Sequence, residues 1–172
     1  MVVDASYWYD EPMTETKWLS ETERAAWVRF TAVLELLPSA LDVQLSTDEG
    51  LTHFDYFTLA MLSEAPGSVL RTSALAARAN ATLPRLSKVV TRLENAGLVE
   101  RAPCPEDRRA TNVTLTDAGW KKVVAAAPGH VGAVRHLVID ALTAEQVEQL
   151  GAISAALLVR LDPDGRMLAS EA

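Results

Sequence analysis

The chain has 172 residues, 49% of them hydrophobic, a formal net charge of −7 and one cysteine. This length gives one domain-sized unit, or a small domain with helical extensions, with enough apolar residues for a core. A single cysteine excludes an internal disulfide. There is no uninterrupted apolar run of membrane-spanning length and no basic-then-apolar leader, so neither membrane insertion nor export is expected and a cytoplasmic protein is the simplest expectation.

Residues 1–19 have no helical period and carry three adjacent aromatics, Tyr7, Trp8 and Tyr9. Three such rings in free solvent are a liability, so this arm is expected to dock on the body of the chain or on a partner subunit. Ser20-Glu21-Thr22-Glu23 has the Ser-x-x-Glu pattern of a capping box and starts a first helix, continued by Trp27, Phe30, Leu34, Leu37 and Leu41. Pro38 is expected to kink or interrupt it, and Thr47-Asp48-Glu49-Gly50 reads as a loop. Thr52 caps a second helix bearing Phe54, Phe57, Met61 and Leu62, stopped by Pro66-Gly67. Val69 to Arg71 is a candidate short strand. Thr72 or Ser73 then caps a brief helix with Leu75 and Ala79 inward, and Asn80-Ala81 turns the chain towards Thr82.

From Thr82 the pattern is most informative. Leu86, Val89, Val90 and Leu93 share one helix face, with Pro84, Lys88, Thr91 and Asn95 opposite, flanked by Arg85, Ser87 and Arg92. Thr82 is the candidate N-cap, Pro84 is tolerated in the first turn, and Gly97 suits the left-handed position after the helix. Val99 to Ala102 reads as a strand, Pro103, Pro105 and Asp107 as a turn-rich loop, and Thr111, Val113 and Leu115 as a half-buried return strand. Thr116 caps the next helix. Helix, turn, helix and a two-stranded ribbon with a basic tip make a winged helix, whose second helix fits a DNA major groove while an arginine-bearing wing enters a minor groove or holds phosphates.

The segments TRLENAGLVER and PEDRRATNVTLTDAG resemble the multiple-antibiotic-resistance regulator (MarR) family of bacterial transcription factors, with Asp107-Arg108-Arg109 matching the family's Asp-x-Arg wing motif. The resemblance is strongest over about a quarter of the chain and extends more loosely over residues 18 to 162. It implies a mainly α fold with a small β-wing, a winged helix-turn-helix flanked by terminal helices that intertwine two copies into a homodimer. The expected divisions are an arm (1–19), N-terminal helices (20–66), the winged helix-turn-helix (67–117), C-terminal helices (118–162) and a frayed tail (163–172). Pro128-Gly129 is expected to bend or break the helix after Thr116. Thr143-Ala144-Glu145-Gln146 is another capping box, before a wide stripe of Val147, Leu150, Ile153, Leu157, Leu158 and Leu161. The alternative to a dimer is a monomer whose terminal helices cover each other.

Charge is distributed unevenly. Residues 71–122 hold ten of the sixteen Lys and Arg and five of the twenty-three Asp and Glu, a net of +5, which leaves −12 elsewhere. A basic DNA-binding face on an acidic body fits that division. The candidate DNA contacts are Thr82, Pro84, Arg85, Ser87, Lys88, Thr91 and Arg92 on the reader helix. At the wing the family pattern puts Arg109 in the minor groove, with Asp107 orienting basic side chains and Arg108 on a phosphate. A solvated charged face is the bland alternative for each. The resemblance implies a palindromic double-stranded operator, more commonly repression than activation, and release by aromatic carboxylates or other small phenolics. Trp27, His53, Tyr56 and Trp120 are candidates for the walls of that effector cleft, against ordinary core packing.

No catalytic constellation, cofactor-binding loop or metal-ligand spacing is present, so no enzyme, cofactor or metal site is expected. Cys104, placed on the wing tip, is either a redox switch or a plain exposed cysteine. Oxidant-sensing relatives usually carry theirs in the first helix, where this chain has none, which favours the plain reading. A protein-interaction or architectural DNA-binding module is the alternative from another class, and it would present apolar or acidic residues on the reader face.

Overall fold

The computed structural model describes residues 16–105 and 107–167, with the backbone alone at Arg108. The aromatic arm of Tyr7, Trp8 and Tyr9 lies outside the described residues. In chain order the elements are α1 (Glu21–Glu49), α2 (His53–Ser63), β1 (Val69–Arg71), α3 (Thr72–Arg78), α4 (Leu83–Asn95), β2 (Val99–Cys104), β3 (Asp107–Leu115), α5 (Asp117–Leu137) and α6 (Ala144–Leu161), with 3-10 turns at Pro66–Ser68 and Ile139–Ala141. The strands form one antiparallel sheet in the order β1-β3-β2, with Leu70 opposite Val113 and Val113 opposite Arg101. This is the expected winged helix-turn-helix with added terminal helices.

Side-chain oxygens fix the helix starts, because the first N–H groups of a helix have no partner inside it. Ser20 with Glu23, Thr52 with Asp55, and Thr143 with Gln146 form complete capping boxes. Thr116 does two jobs: its Oγ1 accepts from Gly119 N–H at 3.0 Å and donates to the Gly97 carbonyl at 2.7 Å, so the start of α5 is tied to the end of α4. Gly97 adopts φ +72, and Leu98 N–H donates back to the Leu93 carbonyl at 2.9 Å, which closes α4 with a Schellman-type stop.

Several local expectations are corrected. Of the kink or interruption expected at Pro38 and the bend or break expected at Pro128, the interruption is excluded: α1 and α5 run through both prolines as single elements. An interior proline removes one backbone hydrogen bond and crowds the carbonyl four residues earlier, at about 3 kcal/mol, and the helices continue where α1 and α5 pack on each other. At Gly129 a Cβ would lie 3.1 Å from Gln44 Nε2, so α5 passes close to α1 beside Pro128. The stretch from Thr47 to Glu49 is helix rather than loop; Gln44 bonds Asp48 across one turn at 2.9 Å, and only Gly50, at φ +65, ends it. Thr72 caps nothing, since Arg71 is the N-cap of α3; its hydroxyl donates instead to the Thr111 carbonyl, pinning α3 to the wing. The ribbon strands are longer than the alternation suggested and take in Pro103 and Cys104 on one side and Asp107 to Ala110 on the other. Cys104 is therefore not exposed on a loop: it is 2% exposed. Beyond α6, where fraying was expected, Gly165 N–H and Met167 N–H both bond Asp162, and residues 168–172 lie outside the described set.

One core joins the winged helix to the adjoining ends of α1 and α5. Leu45, Leu59, Leu62, Leu75, Leu86 and Val113 are fully buried in it, with Ala126 from α5. Each such leucine stabilises the fold by about 1.5–3 kcal/mol. The other end of the molecule is different. The first half of α1 exposes Trp27, Val28, Phe30, Val33, Leu34 and Leu36, and α6 has no buried residue. Among the described residues no helix is long and apolar enough to cross a membrane.

Candidate nucleic-acid interface

The helix α4 is seated by its apolar stripe: Leu86, Val89, Val90 and Leu93 are buried, and Thr82, Pro84, Arg85, Ser87, Lys88, Thr91 and Arg92 are exposed. Three of those seven are engaged within the chain. Thr82 accepts from Arg85 N–H at 3.4 Å and caps the helix. The Arg85 guanidinium lies 4.3 Å from the Phe54 ring centre, within cation–π range. The Arg92 guanidinium bonds Asp55 Oδ1 at 2.5 Å. Pro84, Ser87, Lys88 and Thr91 form the outward face proper. Ser87 also borders a hollow of about 320 Å³ shared with Thr72, Val90, Arg101 and Thr111, where helix and wing meet.

The wing is held to α4 by a residue that sequence reasoning missed. Arg101 on β2 bonds Glu94 Oε2 through Nη2 at 2.5 Å and Nε at 3.0 Å, and its backbone N–H donates to Glu94 Oε1 at 3.3 Å. The guanidinium holds the Glu94 carboxyl below the usual carboxylate value. The seven-residue separation carries no recognisable pattern in sequence, because it depends on the turn at Gly97. At the tip, Asp107 Oδ1 accepts from the Arg109 backbone N–H at 3.0 Å, so what Asp107 orients here is the Arg109 backbone. Arg109 is exposed, and the Arg108 side chain lies outside the described set.

The four candidates for an effector cleft are not brought together. His53 and Tyr56, on the first turn of α2, both meet His130 of α5, with ring centres at 6.1 and 4.6 Å. His53 N–H is fixed by Asp42 Oδ1 of α1 at 2.8 Å. Trp27 stands fifteen residues before Asp42 on the same helix, about 22 Å away along its axis, and meets Phe30 in a tilted ring contact with centres 6.4 Å apart. Trp120 precedes His130 by ten residues of α5, about 15 Å, and is 46% exposed. Helical rise separates both tryptophans from the His53 cluster within one chain. The missed member is His130, which no spacing in the sequence links to α2. Burial lowers the pKa of His53 against the opposing charge of Asp42, and burial followed by repulsion from His53 lowers that of His130. Burial pushes the Tyr56 phenol up. Among the described residues no group of three His, Cys, Asp or Glu is arranged to hold a metal ion.

Comparison with known proteins agrees with this architecture. The MarR family model matches residues 51–111. The crystal structure of Sco3205 from Streptomyces coelicolor, a MarR family transcriptional regulator in complex with DNA, is 41% identical, covers 87% of this chain and 94% of its own, and superposes with a TM-score of 0.83. AbsC from the same organism, another MarR family transcriptional regulator, is 38% identical over 85% of this chain and 98% of its own, with a TM-score of 0.79. Among curated relatives, the HTH-type transcriptional regulator YdcH of Bacillus subtilis is 34% identical over 80 residues, which is 45% of this chain and 54% of YdcH. The HTH-type transcriptional repressor IacR of Pseudomonas putida is 39% identical over 51 residues, 30% of each chain. The chain thus matches about half the length or less of these curated relatives, and nearly the whole length of the two solved structures. With a winged helix-turn-helix of the same build and close identity along its length, the chain belongs to the MarR family of transcriptional regulators.

Proposed function

We propose that this protein binds a palindromic double-stranded operator as a homodimer and represses transcription by blocking promoter access. The observation that carries the reading is the free outward face of α4, where Pro84, Ser87, Lys88 and Thr91 stand exposed beside a wing that presents Arg109. Lys88 donates to guanine O6 or N7, Ser87 and Thr91 are permissive readers, Pro84 offers an apolar contact, and Arg109 suits the narrow minor groove next to it. Arg108 is assigned to a phosphate. Sco3205, similar along nearly its whole length, is described in complex with DNA, which supports the same partner here. Dimerisation is supported by the apolar faces of α1 and α6 that nothing among the described residues buries, including Trp27, Val33, Ile153 and Val159 at more than half exposure. Two copies on a two-fold axis would place their reader helices about 34 Å apart, in successive major grooves.

Control by a small aromatic or phenolic effector belongs to the same proposal, with the His53–Tyr56–His130 cluster between α2 and α5 as its site. A ligand there would favour a dimer whose reader helices no longer match the groove spacing. Selection of sites from a random DNA pool, repeated with Arg109→Ala, tests the reading. An enriched inverted repeat, weakened by about 1–3 kcal/mol per half-site in the variant, is expected. No enrichment at low salt overturns sequence-specific regulation.

A further inference from the structure

Asp55 is one of two buried polar or charged side chains among the described residues, 3% exposed. Its carboxylate is fully used. Oδ2 accepts from Thr52 N–H at 3.0 Å and from the Thr52 hydroxyl at 2.7 Å, and Oδ1 accepts from Arg92 at 2.5 Å. The residue before it, Phe54, lies beneath the Arg85 guanidinium. Two consecutive residues at the start of α2 therefore grip two arginines of α4. Arg85 and Arg92 are seven residues apart, two turns, so they lie on one stripe of α4 and about 10.5 Å apart along its axis. A grip at two such points fixes both the rotation of α4 and its axial position. The capping box of α2 holds the grip rigid, because the carboxylate that takes Arg92 also caps the helix that carries it.

We propose that Phe54 and Asp55 are positioning residues for DNA recognition, and that Arg85 and Arg92 act as struts that aim Lys88 and Thr91 rather than as base or phosphate contacts. This rests on the DNA-binding reading above. Arg92 is a strut by occupation: its side chain is 55% exposed, yet its charge is committed to a carboxylate that is 4% exposed. A loosened α4 would sample orientations in which Lys88 misses its base edge, while a released Arg92 would bind any phosphate.

The test compares Asp55→Asn and Arg92→Gln. An asparagine keeps an oxygen for the Thr52 cap and abolishes the charge pair. In Asp55→Asn the preference for the selected operator over a scrambled duplex is expected to fall about tenfold, while the salt dependence of binding by the dimer steepens by about 1.8 in log–log slope, about 0.9 for each of its two Arg92 side chains that gains a phosphate. A mere loss of stability would leave that slope unchanged. In Arg92→Gln, an exposed position that keeps the comparison available if the first variant folds poorly, discrimination falls and the slope does not become shallower. The inference is overturned if Arg92→Gln flattens the slope by about 1.8 for the dimer and weakens operator and scrambled DNA equally, since Arg92 is then a phosphate contact in each subunit. Hydrogen exchange on the DNA-free protein separates this inference from the one beneath it. Faster exchange across residues 86–93 in Asp55→Asn supports the strut, and unchanged exchange overturns it. A wild-type protein with no preferred duplex overturns the regulator reading instead.

Discussion

Single residues in this protein are constrained most tightly where two backbones touch. A Cβ added at Gly119 would lie 2.0 Å from the Leu98 carbonyl oxygen and 2.7 Å from Leu115 Cδ1. The obstacle at 2.0 Å is backbone, which cannot rotate away, and it sits in the turn where α4, the wing and α5 converge. Gly119→Ala is expected to destabilise the fold by at least about 3 kcal/mol, the upper end for overpacking, measured by urea unfolding. A loss under about 1 kcal/mol would show that the turn yields. Sequence gave no hint of this glycine's role, since it lies two residues inside a capped helix with an ordinary negative φ. Cys104 teaches the same lesson in reverse. Prolines at 103 and 105 marked a loop, but the ribbon extends through Cys104 and covers it.

At the scale of elements, α2 is the hub. Its first turn faces α5 through His53 and Tyr56 and faces α4 through Phe54 and Asp55. The contact with α5 has a pH signature. His53 and His130 both titrate below 6.5 when folded, so the unfolded chain takes up protons first as pH falls. Their neutral forms contribute stability that is fully present above the unfolded value of 6.5 and is lost as pH falls through the lowered folded values. The melting temperature is expected to be level between about pH 8 and pH 7 and to drop between about pH 6.5 and pH 5, before most carboxylates protonate. In a His53→Gln/His130→Gln variant that drop should shrink. An equal drop in both proteins would assign the effect to other groups.

For the whole molecule, the question is what covers the terminal helices. Ile153 is 58% exposed in the single chain. If α6 faced water in solution, Ile153→Glu would change stability by less than about 0.5 kcal/mol. In the proposed dimer the same change puts a carboxylate into an apolar interface. Sedimentation should then show dissociation to monomers at micromolar concentration, and operator affinity should fall with it. A variant that remains the same size as wild type would overturn the assignment of α6 to the interface.

The sequence by itself determined the elements that local chemistry controls. Caps at Ser20, Thr52, Thr82, Thr116 and Thr143 stand where Ser/Thr spacing put them, and the Leu86–Leu93 stripe is buried, because a helix start and an apolar face are decided within one or two turns. The wing motif was legible only through the resemblance to the MarR family, and the structure puts Asp107 and Arg109 at the start of β3. Only the tertiary structure decided what lies between elements. It carried α1 and α5 through their prolines, where the two helices pack on each other. It turned Arg85 and Arg92 towards Phe54 and Asp55, thirty-one and thirty-seven residues earlier in the chain. It set His130 against Tyr56 and left both tryptophans away from them. Such pairings follow from how elements cross in three dimensions, and no periodicity within one segment records them.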